Sequence, residues 1–219
     1  MADRPILFSG PMVRALLAGT KTQTRRVLSN DKHASLFNGQ WADSYVLDPG
    51  NAGWREREVR FAEGDRLYVR EAWRSDAAYD DLSPAAMGGD EPIRYEADGA
   101  HQAWGYPAIS KPGRFRQGMH MPRWASRLTL IVTEVRVQRL QEIIEADAIA
   151  EGVECWSEPG LVSWRVDDAM SFVGAVDAYR LLWDSLNADR GYGWSANPWV
   201  VAYSFTVHLG NIDQIGRAS

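Results

Sequence analysis

Gly19-Thr20-Lys21-Thr22-Gln23-Thr24-Arg25-Arg26 is the stretch on which the reading of this chain turns. Upstream, Pro5 to Ser9 reads as a short strand, and Pro11 is a good first residue for a helix. Met12, Leu16 and Leu17 fall at helical spacing, with Val13 beside them, and Gly19 is the natural stop. Lys21 and Thr24 therefore stand just past a helix C-terminus, where the chain enters a strand near Thr24 to Leu28. A threonine hydroxyl becomes a useful nucleophile when a neighbouring base takes its proton. A lysine is such a base when burial or adjacent positive charge lowers its pKa, and Arg25 and Arg26 supply that charge. The structural alternative is plain: a lysine past a helix C-terminus is favoured by the helix dipole, and a threonine by strand propensity.

Further along, Ser29 to Phe61 is polar and reads as an insertion. Gly64-Asp65 is a turn, followed by a strand from Arg66 to Trp73. Asp76 to Pro92 is loop-like, Ile93 to Glu96 a short strand, and Gly99 to Gln117 irregular. Arg127 to Val137 is the strongest strand, with a shift in its alternation that suggests a bulge or strong twist. Glu142 to Glu151 reads as a short helix stopped by Gly152, and Cys155 to Asp168 as a loop. Ser171 to Asn187 is an amphipathic helix expected to bury Phe172, Val176, Tyr179, Leu182, Trp183 and Leu186. Gly191 and Gly193 mark a turn before a last strand, Trp199 to Leu209. Strands with about three dispersed helices and no β-α-β rhythm predict an α+β fold. Glu151 breaks a local rule, since a carboxylate at a helix C-terminus is disfavoured by roughly 0.3–1 kcal/mol. Such breaches gather at functional sites.

The 219 residues fit one elaborated domain, 1–219. No apolar run approaches the roughly 20 residues of a membrane helix. The N-terminus lacks a signal-peptide pattern, and Cys155 is the single cysteine, so the expected compartment is the cytoplasm. A net charge of −5 argues against a grip on long nucleic acid, which needs a basic surplus. A local basic patch is present at Lys111, Arg114, Arg116, Arg123 and Arg127, interleaved with Phe115 and Trp124. His33, His101, His120 and His208 have no metal spacing, so a zinc deaminase set is missing. So are a phosphate-cradling loop and a G-x-S-x-G elbow. Arg70 and Glu71, neighbours on a strand, face opposite ways. Trp73, Trp124 and Trp199 are candidates for stacking on a base.

The helix ending in Ala18-Gly19 followed by Lys21-Thr22-x-Thr24-x-Arg26 resembles the signature of ASCH-domain proteins, small β-barrels of the PUA-like kind. Within them it is similar to the bacterial N(4)-acetylcytidine amidohydrolases. Gly64-Asp65 with its strand, the strand from Arg127 to Val137, and Leu140-x-x-Ile143, Asp147-Ala148 and Glu151 match further elements. The whole chain, including His120-Met121-Pro122-Arg123-Trp124 and Gly191-Tyr192-Gly193-Trp194, looks like longer ASCH proteins of phages and prophages. The resemblance implies a PUA-like β-barrel with insertions near 29–62, 74–126 and 155–170. It implies a metal-free, cofactor-free amidohydrolase acting on an N(4)-acylated cytosine nucleoside or nucleotide. Thr24 would be the nucleophile, Lys21 its base, and Glu151 would hold the amide or relay the proton. Arg26, Arg70, Glu71, Trp73 and Trp124 are the candidate substrate contacts. Thr24→Ala and Lys21→Ala are each expected to abolish turnover with little change in stability. The competing readings are an RNA-binding module using Lys111 to Arg127, and an RNA-cleaving enzyme using Lys21 and Arg26 at a phosphate.

Overall fold

The computed structural model describes residues 2–28, 34–37, 40–102, 109–171 and 173–216. In chain order the elements are β1 (Asp3–Leu7), α1 (Gly10–Leu17), β2 (Gln23–Val27), α2 (Ala34–Phe37), α3 (Asp43–Leu47), α4 (Arg55–Glu58), β3 (Arg66–Arg70), β4 (Trp73–Arg74), β5 (Ile93–Tyr95) and β6 (His101–Gln102). They continue with β7 (Leu128–Arg139), α5 (Glu145–Ala150), β8 (Glu154–Glu158), β9 (Leu161–Val166), β10 (Ala169–Ser171), α6 (Ala175–Asn187) and β11 (Trp199–Leu209). The class is α+β. The main sheet has the order β1-β3-β7-β11-β2, with β1 parallel to β3 and the other described pairings antiparallel. Among the described residues β1 and β2 are its edges, so this is an open mixed sheet rather than the expected closed barrel.

By packing, the chain divides into two compact units, each discontinuous in sequence: 1–19, 64–131 and 206–219 form one, 20–63 and 132–205 the other. The first unit contains the small sheet β4-β5-β6 and a core of Trp73, Met87, Ile93, Tyr95, Met121 and Ala125. The segment expected as an insertion at 74–126 is therefore structured where it is described. Asp76 staples it: Oδ1 accepts from the Ala78 N–H at 2.9 Å, and Oδ2 accepts from the Ser110 N–H and hydroxyl and the Lys111 N–H at 2.8, 2.9 and 3.1 Å. The backbone bonds from Ala78 and Lys111 and the two bonds from Ser110 lower the Asp76 carboxyl to about 2. A depressed carboxyl contributes stability that is complete above its ordinary value and is lost as pH falls through the folded one. The staple is thus expected to hold until pH drops from about 4 towards 2, read from the Asp76 carboxyl NMR shift. A midpoint near the ordinary aspartate value would refute it.

Close packing in the same unit leaves no room at Gly118. A Cβ there would meet Leu7 Cδ1 at 2.7 Å and the Glu71 backbone carbon at 2.9 Å. Gly118→Ala is expected to cost about 1–3 kcal/mol by overpacking, visible as a lower urea midpoint. An unshifted midpoint would show that the backbone at Glu71 yields freely.

The second unit packs α6 and α5 on a core of Leu140, Ile143, Ala148, Val153, Tyr179, Leu182, Trp183 and Val200, among others. Helix α6 starts at Ala175 rather than Ser171, which belongs to β10. Leu186 is exposed on it, Val176 is half-buried, and Phe172 lies outside the described residues. The expected loop at 155–168 is instead the antiparallel sheet β10-β9-β8. Its strands turn through Pro159-Gly160 and Asp167-Asp168, with positive φ at Gly160 and Asp167. Every residue of β8 is exposed, so no apolar alternation marked it as a strand. The polar stretch after β2 forms the short helices α2 to α4 where it is described; His33 lies outside the described residues.

Candidate active site

Helix α1 ends in Ala18, and Gly19 takes a left-handed φ of 74° that turns the chain towards β2. Lys21 then bridges to Glu151 in antiparallel fashion, while the Thr22 N–H donates to the Ala150 carbonyl at 2.8 Å. Glu151 is the C-terminal capping residue of α5, and the chain leaves it through Gly152 at φ 103°. The local penalty on a carboxylate at this position is met by a cation. Lys21 Nζ donates to Glu151 Oε2 and to the Glu151 backbone carbonyl, both at 2.8 Å. The ammonium therefore neutralises the side chain and caps the helix end together.

Arg25 reaches the other carboxylate oxygen, with Nη1 3.1 Å from Glu151 Oε1. The same Nη1 donates to Gln23 Oε1, and Gln23 Nε2 donates to Ser204 Oγ at 3.1 Å and to Asp147 Oδ1 at 3.3 Å. Arg25 Nη2 lies 2.9 Å from Asp147 Oδ2. That is a Coulombic contact without hydrogen-bond geometry, and Arg25 Nε likewise has no hydrogen-bond partner. Arg136 Nη2 completes the cluster 2.6 Å from Asp147 Oδ1. Lys21, Thr24 and Glu151 are 1%, 2% and 5% exposed, so these charges act in a medium that screens them little.

Burial holds the Lys21 ammonium below the usual lysine range; Glu151 opposes that shift, and Arg26 and Arg25 reinforce it. Burial alone would raise the Asp147 carboxyl, but Arg136 and Arg25 outweigh it and hold it below the usual carboxylate range. Burial, followed by the charge of Glu151, keeps the Tyr179 phenol protonated well above its ordinary value. Tyr179 also lies under the Arg25 guanidinium, 5.9 Å from its ring centre. Around the pair, Lys21, Arg25, Arg26 and Arg136 set four cations against the carboxylates Glu151, Asp147 and Glu134, the last 3.3 Å from Arg136 Nε. The site therefore favours a ligand atom that carries or develops negative charge.

Strand alternation sorts β2 into two faces. Gln23, opposite Ser204 on β11, and Arg25, opposite Ala202, point towards Asp147 and Glu151. Thr24 lies on the other face, directly opposite Tyr203, and Arg26 opposite Val201. Tyr203 is buried, and its hydroxyl accepts the Arg60 N–H at 3.1 Å. The Thr24 hydroxyl makes no hydrogen bond among the described residues, so the structure brings Lys21 and Glu151 together without tying Thr24 to either.

Of the remaining candidates, Arg70, Glu71, Trp73 and Trp124 belong to the first unit and Trp199 to the second. Glu71 is buried and takes a bidentate pair from Arg127, at 2.8 and 2.9 Å. Arg70 donates to the Met119 carbonyl at 3.2 Å and to the Tyr68 hydroxyl at 3.3 Å. Trp73 is fully enclosed, with the Arg116 guanidinium 5.2 Å above its ring. Trp124 is half-buried against the first unit's core. Trp199, in β11, is buried with Arg139 4.6 Å from its ring centre. The basic segment is largely spent internally. Arg123 pairs with Asp3 and Asp213, Arg127 pairs with Glu71 and Asp98, and Arg116 donates to the Tyr79 and Leu82 carbonyls. Lys111 and Arg114 remain exposed.

Sequence reasoning missed Gln23, Asp147, Arg136 and Tyr179. A signal for two of them was present: Lys21, Gln23 and Arg25 alternate at strand period, and Asp147 stands one helical turn before Glu151. Arg136 and Tyr179 come from distant elements and carried no local mark. Among the described residues no group of three His, Cys, Asp or Glu side chains is arranged to hold a metal ion. No helix among the described residues is long and apolar enough to cross a membrane. Cys155 is exposed and free.

No family model matches the chain, and neither does any curated protein. Two solved structures are similar to it at 10% identity. One is a protein of Enterococcus faecalis V583 described by the family model DUF984, with a TM-score of 0.41 over 99% of this chain and 86% of that one. The other is an ASCH domain from Lactobacillus crispatus JV V101, with a TM-score of 0.36 over 94% of this chain and 79% of that one.

Proposed function

We propose that the chain is an amidohydrolase that removes the acyl group from N(4)-acylated cytosine nucleosides or nucleotides without a metal ion. The observation that carries this reading is the buried Lys21–Glu151 pair at the mouth of β2, in a cluster where cations outnumber carboxylates. Burial favours the neutral amine of Lys21, and the charges of Arg26 and Arg25 reinforce that shift against the opposing charge of Glu151.

In the proposed reaction the Thr24 oxygen attacks the acyl carbonyl, and its proton passes to the Lys21 amine. The carbonyl oxygen gains negative charge, which the surrounding guanidinium and ammonium groups stabilise. Collapse of the tetrahedral adduct breaks the bond to the exocyclic nitrogen of cytosine, which takes a proton from the Lys21–Glu151 pair. Water then attacks the acyl-threonine ester with the same pair as base. The carboxylic acid leaves and the Thr24 hydroxyl is restored. Catalytic hydrogen bonds are often unformed without substrate, so Thr24 and Lys21 need to meet only in the complex.

The direct test is the ultraviolet spectrum of N(4)-acetylcytidine mixed with wild-type protein or with Thr24→Ala, both in chelator. Loss of the acylated-base spectrum with wild type alone supports the reading. An unchanged spectrum with both rejects it, and retention of RNA that weakens steeply with salt would then favour binding through Lys111 and Arg114.

A further inference from the structure

The face of β2 that carries Thr24 leads outward to an arginine with no carboxylate partner among the described residues. Tyr203 stands directly across the strand pair from Thr24. The Phe61 ring meets the Tyr203 ring edge-on, with centroids 5.1 Å apart. The Arg60 guanidinium lies over Phe61, 5.4 Å from its ring centre. The backbone N–H of Arg60 donates to the Tyr203 hydroxyl at 3.1 Å, which fixes the start of that side chain. Phe61 and Tyr203 are both buried, so Arg60 is mounted on a rigid aromatic pair two ring contacts from Thr24.

Several other arginines among the described residues are already paired. Arg25, Arg66, Arg74, Arg123, Arg127, Arg136, Arg139 and Arg180 each hold a carboxylate. Arg60 is exposed and makes no ion pair among the described residues. A guanidinium stacked on a ring keeps its N–H edge free, in the planar fork that fits phosphate oxygens. Arg26 projects from the Thr24 face of the strand as well, and the charge of Arg60 acts against that of Arg26. Arg60 adds a second positive charge to the face that carries Thr24 and Arg26, which favours an anion there.

We infer that Arg60, seated on Phe61 and Tyr203, binds a phosphate of the substrate, so that the preferred substrate is phosphorylated. This deepens the deacylation reading and rests on it. The amide nitrogen and the 5′-phosphate lie at opposite ends of a cytidine nucleotide, so a base presented to Thr24 leaves its phosphate to be met farther out on the same face. The shared chemistry is a phosphate oxygen, supplied by a nucleotide monoester or by an RNA phosphodiester.

The test compares kcat/KM for N(4)-acetylcytidine, its 5′-monophosphate and a short acetylcytidine oligonucleotide, with wild type, Arg60→Gln and Arg60→Lys. A charge-assisted contact predicts about a tenfold preference for a phosphorylated substrate over the nucleoside. The preference should collapse towards one in Arg60→Gln and return in part in Arg60→Lys. Preference for the monophosphate identifies a nucleotide as the source, and preference for the oligonucleotide alone identifies RNA. Equal kcat/KM for all three in wild type overturns the inference and leaves deacylation standing. If no substrate is turned over, the deacylation reading fails. Calorimetric binding of cytidine 5′-monophosphate against cytidine then decides: a preference lost in Arg60→Gln retains the phosphate seat, and equal affinities reject it.

Discussion

Lys21→Met is expected to lower the unfolding free energy by roughly 3 kcal/mol, because removing one partner of a buried pair strands the other. Lys21 is 1% exposed and donates to the Glu151 carboxylate and to the Glu151 carbonyl. Methionine keeps the length of the stem but leaves the helix end and the Glu151 carboxylate without their ammonium. Arg25, 3.1 Å from the other carboxylate oxygen, limits the loss to the low end of the roughly 3–5 kcal/mol seen for broken buried pairs. Glu151→Gln in the Lys21→Met background should recover much of it, since it removes the stranded charge, and a double-mutant cycle in urea isolates the coupling. Additive effects of the two substitutions would mean that the pair is not coupled. This replaces the expectation from sequence that Lys21→Ala leaves stability nearly unchanged. That expectation treated Lys21 as a loop residue, whereas its side chain is enclosed and paired with Glu151.

Thr24→Val should separate chemistry from stability in the opposite sense. Valine preserves the shape and the strand preference of threonine. The hydroxyl it deletes makes no hydrogen bond among the described residues, so stability should change by no more than about 1 kcal/mol. Turnover of N(4)-acetylcytidine should fall at least about a thousandfold, as for other deleted nucleophiles. Thr24→Ser should retain part of the activity because it keeps the oxygen. A valine variant that works at the wild-type rate would remove Thr24 from the reaction and leave Lys21 and Glu151 to act on water. A valine variant that unfolds would show that Thr24 belongs to the packing around Tyr203.

Much of the chain's order was legible from local signals. Gly19 and Gly152 sit at their helix ends with positive φ, and the final strand spans Trp199–Leu209 as expected. The strand expected from Arg127 to Val137 runs from Leu128 to Arg139. Where burial does not write the pattern, the reading failed. All of β8 is exposed, so only the Pro159-Gly160 turn marked the sheet that replaced the expected loop. In α6 a helical period was legible, yet which residues it buries depended on neighbours: Ala175 and Ala178 are enclosed, while Leu186 faces outward.

The sequence alone determined the α+β class, the helix-to-strand turn that delivers Lys21 and Thr24, and the out-of-place carboxylate at Glu151. Each follows from chemistry within a few residues: a glycine's freedom at positive φ, the strand period, and the dipole of one short helix. Only the tertiary structure decided that Lys21 answers Glu151 across 130 positions, and that Arg25 and Asp147 enclose the pair. It likewise decided that Arg123 and Arg127 are consumed by carboxylates instead of forming a basic face, and that Arg60 is left over on an aromatic mount. The physical reason is common to all of these. A charge's partner, and the water removed around it, are set by elements far apart in the chain, and local sequence carries no record of them.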